Sequence, residues 1–221
     1  KNTFVLFTSD NGGTPRAMNS PLRGNKGSTW EGGMRVPTIA WWPGKIAGGS
    51  VTSAMTSMMD ILPTFAAVAD AKLPERKYDG VNLWPLLAGQ VPNVRDTFYF
   101  FRGLRLEAVR SGNWKLQLVS GENAKPKAKG RTPKVAAASR EGLPRLYDLD
   151  TDIGETTNVA DKHPEVVTRL QALVAAMNND LGADAIGPGC RELGRVAQPQ
   201  PLIASDGTIR EGFAGEKKKL P

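Results

Sequence analysis

Cysteine and histidine are almost absent from this 221-residue chain: there is one of each, Cys190 and His163. A single cysteine excludes an internal disulfide framework and any cysteine-based zinc cluster built within the chain. A single histidine excludes a multi-histidine metal site built from this chain alone. No apolar run approaches the roughly 18–20 residues that cross a bilayer, so no membrane partner is expected. No basic-then-apolar leader opens the sequence, so a secretory signal is expected to be absent or already removed. The rest of the composition is globular, 40% hydrophobic and 23% charged, which excludes wholesale disorder. The length lies between one and two ordinary domains.

The formal charge is +7, and it is concentrated. Residues 120–142 hold six basic side chains (Lys125, Lys127, Lys129, Arg131, Lys134, Arg140) against Glu122 and Glu141, a net +4. Lys217, Lys218 and Lys219 with Glu216 add +2. Both stretches are rich in Ala, Pro, Gly and Lys without apolar periodicity, so they read as surface loop and tail. A solubilising loop is the simpler account; an electrostatic lure for a polyanionic substrate such as a sulfated glycan is the sharper one. Nucleic acid is not expected, because no aromatics interleave the basic residues and no binding motif is present.

Residues 3–8 form an apolar run ended by Ser9-Asp10-Asn11-Gly12-Gly13. Such a run suits a strand buried on both faces in a parallel sheet, with its ligands beyond the carboxyl end. A buried strand needs partners, so sequence is expected to precede it. Residues 14–35 read as a long ordered loop of the functional kind. Residues 36–42 are a second strand candidate, stopped by Pro43-Gly44. Asp60 is expected to N-cap a helix through Ile61, Leu62, Phe65, Ala66, Val68 and Ala69, with Pro63 in its first turn. Strands are then expected at 97–102, 105–110 and 114–119, separated by Gly103-Leu104 and Ser111-Gly112-Asn113, and a fourth at 145–149. Pro164 opens a helix whose apolar face is Val166, Val167, Leu170, Leu173, Val174, Met177 and Leu181, and Gly182 stops it. The result is an α+β unit, a small antiparallel sheet covered by one helix.

Two stretches carry candidate chemistry. In Thr8-Ser9-Asp10-Asn11-Gly12-Gly13 a carboxylate and an amide oxygen stand side by side after a strand. That pair suits calcium or magnesium, although Asp-Asn-Gly is equally good turn chemistry. In Pro21-Leu22-Arg23-Gly24-Asn25-Lys26-Gly27-Ser28-Thr29-Trp30-Glu31-Gly32-Gly33-Met34-Arg35-Val36-Pro37 the Lys26 ammonium lies among glycines. Little backbone bulk then impedes a tetrahedral oxyanion. The stretch lacks the spacing of a P-loop. Glu31 and Arg35, four apart, are expected to pair and pin this loop. Trp30, Trp41 and Trp42 are expected to be core or loop anchors before sugar platforms.

Taken together and in this order, these stretches resemble the sulfatase family of the alkaline phosphatase superfamily. The likeness continues through Trp41-Trp42-Pro43-Gly44-Lys45-Ile46, Met59-Asp60-Ile61-Leu62-Pro63-Thr64, Asp79-Gly80-Val81-Asn82-Leu83 and Gly112-Asn113-Trp114-Lys115-Leu116. It extends through Leu146-Tyr147-Asp148-Leu149 and Asp152-Ile153-Gly154-Glu155-Thr156-Thr157-Asn158, to about Leu181. The resemblance implies hydrolysis of sulfate esters with calcium and a formylglycine made from the Cys or Ser of a C/S-x-P-x-R motif, whose hydrated form attacks sulfur. It implies that Asp10 and Asn11 are metal ligands, that Asp10 also helps deprotonate the attacking hydroxyl, and that Lys26 binds a sulfate oxygen near the leaving group. The implied fold is α/β: the C-terminal part of an alkaline-phosphatase-like mixed sheet core at residues 1–95, and a subdomain at 96–182 with a four-stranded antiparallel sheet and packing helix. An irregular tail follows at 183–221.

The C/S-x-P-x-R motif itself is missing, and Cys190 in Gly-Cys-Arg-Glu-Leu does not fit it. The first pair of metal carboxylates and the family's other active-site Lys and His residues are unmatched. His163, in Lys-His-Pro-Glu, reads as a surface or capping residue. The chain is therefore expected to be the C-terminal portion of a sulfatase whose N-terminal part supplies the nucleophile, and to be inactive alone. A phosphate or phosphonate ester hydrolase of the same superfamily, or a non-catalytic sulfated-glycan binding protein, would be the alternatives. Periplasmic or secreted localisation is what the resemblance implies.

Overall fold

A computed structural model describes residues 2–75, 77–103, 105–118, 144–181, 203–204 and 206–209. The basic stretch 120–142, Leu104, Val119, Gly182, Cys190 and the lysines at 217–219 lie outside the described residues. The chain divides into one compact unit, Lys1–Asn179, and a second, Asp180–Pro221. In the second, Ile203 and Ile209 form an antiparallel bridge around Gly207, whose φ is +85°.

In the first unit a four-stranded antiparallel meander forms where alternation and turn chemistry place it. Its strands are β3 (Thr97–Arg102), β4 (Arg105–Ser111), β5 (Trp114–Gln117) and β6 (Arg145–Asp148), in that spatial order. Ser111 pairs with Trp114, so only Gly112 and Asn113 make the β4–β5 turn. Gly112 has the positive φ (59°) that such a tight turn requires. The 18-residue helix α4 (Pro164–Leu181) starts at the proline, which needs no N–H partner there. Its Leu170 is fully buried against Val109, Leu116 and Leu146, and Val166, Val167, Leu173 and Val174 surround this core. The expected sheet and helix are both present.

The other face of the sheet is covered too. Trp30, Tyr147 and Leu149 form a second core with Ile153 packed on it, and the Trp30 and Tyr147 rings meet edge to face at 5.8 Å. The segment that carries Trp30 was expected to be loop throughout. It contains a one-turn helix, α1 (Glu31–Met34), whose Glu31, Gly32 and Gly33 are buried.

The N-terminal run differs from its expectation. Strand β1 (Val5–Thr8) pairs antiparallel with β2 (Thr38–Trp41), not in a parallel sheet. One face of this ribbon is open: Val5 is 43% exposed, Phe7 62%, Ile39 61% and Trp41 55%. An apolar run reports only that a strand is suited to burial on both faces. Among the described residues no second layer covers this one. Phe4 and Trp42, by contrast, enter an aromatic cluster with Phe65 and Trp84 at centroid distances of 5.4–6.3 Å.

Asp60 is a second correction. Helix α2 (Ile61–Val68) follows a 3-10 turn at Met58–Asp60, and Asp60 takes the N-cap position expected of it, but its side chain accepts no amide of α2. Its buried carboxylate accepts instead from the backbone N–H of Ser57 (2.7 Å) and Val81 (2.8 Å) and pairs with Arg95. Because Asp60 already has helical dihedrals, its side chain points away from the α2 amides. Thr64 extends the same tie, donating to the Asp60 carbonyl and accepting from Leu83 N–H in α3's approach; α3 is Trp84–Leu87.

Leu116→Ala should cost about 2–5 kcal/mol in equilibrium urea unfolding, since it opens a cavity in a fully buried cluster. A loss under about 1 kcal/mol, the size of an ordinary substitution, would contradict the packing described.

Candidate active site

Asp10 follows the end of β1 and is exposed; Asn11 is half-buried and Gly12 buried. Lys26 lies in the turn before α1, with positive φ at Gly24 (77°) and Gly27 (88°), and is exposed. Two backbone hydrogen bonds join these segments: Lys26 N–H donates to the Gly13 carbonyl at 2.8 Å, and Gly12 N–H to the Gly33 carbonyl at 3.1 Å. The approach is so close that a Cβ on Gly12 would lie 2.2 Å from the Gly32 carbonyl oxygen. Glycine is required there by contact, not by turn conformation. Asn19 adds a further tie, its Nδ2 donating to the Gly13 and Gly24 carbonyls.

An open cleft of about 580 Å³ adjoins this junction, lined by Ser9, Asn11, Asn19, Leu22, Arg35 and Pro37 among others. Neither Asp10 nor Lys26 is in its wall. Among the described residues no group of three or more His, Cys, Asp or Glu side chains is gathered for a metal. Asp10 and Asn11 are donors of the right type for a hard cation. Calcium takes about 6–8 oxygens, so the two fit as part of a cage and not as a whole one.

The expected Glu31–Arg35 pair does not form. Arg35 lies past the end of α1 in extended backbone (φ −72°, ψ 139°). It is exposed in the cleft wall, while Glu31 is 1% exposed and faces the sheet. There the Lys115 ammonium lies 2.9 Å from Glu31 Oε1, 2.8 Å from Glu155 Oε1 and 2.8 Å from the Thr29 carbonyl. Two of these oxygens, the Thr29 carbonyl and Glu31 Oε1, accept hydrogen bonds, Glu155 Oε1 is an ion-pair contact, and the Phe100 ring lies 4.3 Å away. Glu155 Oε2 in turn accepts the Glu31 N–H at 2.7 Å. Glu107 accepts from Thr29 Oγ1, and Gln117 donates to the same hydroxyl. Glu107 reaches this face because the register slips there: Phe100 pairs with Ala108 but Phe101 with Leu106. The extra residue is Glu107, and a bulge re-aims its side chain.

Simple alternation hides this cluster. Trp114-Lys115-Leu116-Gln117 reads as a strand with a polar solvent face, yet Lys115 and Gln117 are completely buried. Only the layer supplied by residues 23–33 converts that face into interior. Glu155 gave no local signal either. It sits in left-handed backbone, φ 52°, on a loop whose Asp152 carboxylate accepts from the Thr156 and Thr157 amides.

The other aromatic and histidine expectations are met in part. Trp30 is an anchor, 2% exposed, with the Arg23 guanidinium 3.8 Å over its ring. Trp42 is an anchor in the aromatic cluster, whereas Trp41 is on the exposed face. His163 packs 4.8 Å from the Trp114 ring, and its carbonyl accepts from Val166 and Val167 at the start of α4, as a capping residue would.

Comparison with known proteins adds two family models, described as "Sulfatase" over residues 1–71 and "C-terminal region of aryl-sulfatase" over residues 93–193. Arylsulfatase A of Bos taurus is 40% identical over 188 residues, covering 77% of this chain and 36% of its own length. N-acetylgalactosamine-6-sulfatase of Mus musculus is 33% identical, covering 92% of this chain and 45% of its own. The crystal structure of the PsFucS1 sulfatase from Pseudoalteromonas sp. superposes with a TM-score of 0.66 at 25% identity, over 82% of this chain and 38% of that one. The chain thus spans less than half the length of these relatives.

Burial raises the carboxyl of Glu155 above the ordinary glutamate value of 4.5, and the Lys115 charge and the Glu31 N–H only partly offset this. The stability this group contributes is therefore full below 4.5 and is lost as pH rises through the raised value. Asp152 has the opposite sign: burial pushes it up, but the Thr157 and Thr156 donors together pull it below 3.8. Its contribution is present above 3.8 and lost as pH falls through the lowered value. Urea midpoints measured across pH should show Glu155→Gln flattening the decline on the alkaline side of 4.5, and Asp152→Asn flattening the acid limb. The same pH profile for Glu155→Gln as for the unaltered protein would contradict this account.

Proposed function

The chain belongs to the sulfatase family, and on that premise we propose that it is the C-terminal portion of a sulfuric ester hydrolase that uses calcium and a formylglycine nucleophile. The observation that carries this reading is the double backbone tie, Lys26 to Gly13 and Gly12 to Gly33. It joins the loop that bears the oxygen pair to the loop that bears the ammonium, which supports a shared anion site.

In this proposal the Lys26 ammonium binds a sulfate oxygen beside the leaving group and stabilises the charge that develops there. Asp10 and Asn11 supply two of the oxygens of the calcium site, and the Asp10 carboxylate takes the proton of the attacking hydroxyl. When bound, calcium contributes Lewis-acid stabilisation of the sulfate oxygens. The formylglycine and the remaining ligands come from the N-terminal part of the same enzyme. The open apolar face of Val5, Phe7, Ile39 and Trp41 is of the kind that such a part would cover. The mouse relative is named for a sulfated amino sugar, and a sulfate ester, including a sulfated glycan, is the proposed substrate here. Export to the periplasm or the outside of the cell belongs to the same proposal.

In the enzyme that carries this chain, Lys26→Ala and Asp10→Ala should each lower kcat/KM for an aryl sulfate by about 10²–10³, the scale of losing one transition-state contact. The chain alone should release no sulfate. Faster cleavage of a matched phosphate ester, or metal-dependent sulfate release by the chain alone, would sink the proposal.

A further inference from the structure

We propose that Lys115 and Glu31 are positioning residues for the reaction at Lys26, and that the buried Lys115–Glu31–Glu155 cluster transmits the rigidity of the antiparallel sheet to the anion-binding loop. The inference rests on the sulfatase reading of Lys26, Asp10 and Asn11 given above. A continuous series of bonds connects the two ends. Lys115 is fixed on β5, one of the two inner strands, and holds the Thr29 carbonyl and Glu31 Oε1. Glu31 opens α1, whose Gly33 carbonyl accepts from Gly12, and the adjoining Gly13 carbonyl accepts from Lys26. A second route runs through Arg23, which donates to the Glu155 carbonyl at 2.8 Å and whose own carbonyl accepts from Gly32 at 2.7 Å.

The chemistry of the cluster distinguishes it from packing. An ammonium and two carboxylates taken wholly out of water gain little over apolar residues of equal volume, but they accept only one arrangement of donors and acceptors. A loop whose carbonyl and helix start are both bound to one ammonium cannot slide along the sheet as an apolar contact could. The same loop is also held by Trp30 against Tyr147 and by the Thr29 hydroxyl with Glu107 and Gln117, but the ammonium is the group that binds both the Thr29 carbonyl and Glu31.

The test compares Lys115→Met, with Glu31→Gln as a second variant, against Val167→Ala, which loosens the same sheet from the α4 side. Amide hydrogen exchange of Lys26 and Gly12 is measured in this chain. The kcat and KM for an aryl sulfate are measured in the intact enzyme, at a temperature where every variant remains folded. The cluster variants should speed exchange at both amides by about tenfold. They should lower kcat by about 10–100-fold while KM changes little, as expected when a catalytic group is held slightly out of place. Val167→Ala should move neither. Unchanged exchange at Lys26, unchanged kcat, or an equal effect of Val167→Ala overturns the positioning role. An intact enzyme inactive on sulfate esters, with Lys26 exchange still responding to Lys115→Met, would instead overturn the sulfatase reading and leave the mechanical coupling standing.

Discussion

A single ammonium organises this molecule. Lys115 is buried in the sheet, and three oxygens lie within 2.9 Å of its nitrogen: Glu31 and the Thr29 carbonyl, which accept hydrogen bonds, and Glu155, which pairs by charge. An unpaired charge in that position would be intolerable, and removal of one partner from such a cluster costs about 3–5 kcal/mol. The three oxygens come from two segments far apart in sequence, so the ion ties residues 29–31 and 155 to strand β5 at once. Everything that the glycine-rich loop presents is referred to that point.

The sheet consequently has two different interiors. Toward α4 it is dry and aliphatic, built on Val109, Leu116, Leu146 and Leu170. Toward residues 23–33 it carries the ion cluster, the Thr29 hydroxyl with Glu107 and Gln117, and the Trp30–Tyr147 contact. Aliphatic packing tolerates sliding and repacking, whereas hydrogen-bonded ions select one register. The glycine-rich loop is therefore attached to the specific face. On the proposed reading of Lys26 this division has a purpose: the loop would have to hold its cation within a fraction of an ångström of a substrate oxygen.

The N-terminal ribbon makes the opposite point. Phe4 and Trp42 are absorbed by an aromatic cluster, but Val5, Phe7, Ile39 and Trp41 present an apolar face to solvent. A face of this kind is normally an interaction surface in a soluble protein. The chain spans 36% of the length of bovine arylsulfatase A and 45% of that of mouse N-acetylgalactosamine-6-sulfatase.

Much was legible in the sequence because it depends on local chemistry. The period-two apolar pattern and the Gly112-Asn113 turn located the meander, and Pro164 with the spacing of Val166, Leu170 and Leu173 located α4. Motif order revealed the family. Capping and i,i+4 pairing are local rules and do not place the Asp60 and Glu31 carboxylates, because a distant partner, Arg95 or Lys115, offers each a better site. Lys115, Gln117 and Glu155 look like surface residues in one dimension, since alternation tells which residues share a face but not what covers it. Only the tertiary structure decided that the polar face of β5 would become interior and would take hold of the loop bearing Lys26. The physical reason is that burial and charge pairing are properties of segments brought together from far apart in sequence, 84 residues for Lys115 with Glu31 and 35 for Arg95 with Asp60, and no local window of sequence contains both sides of such a contact.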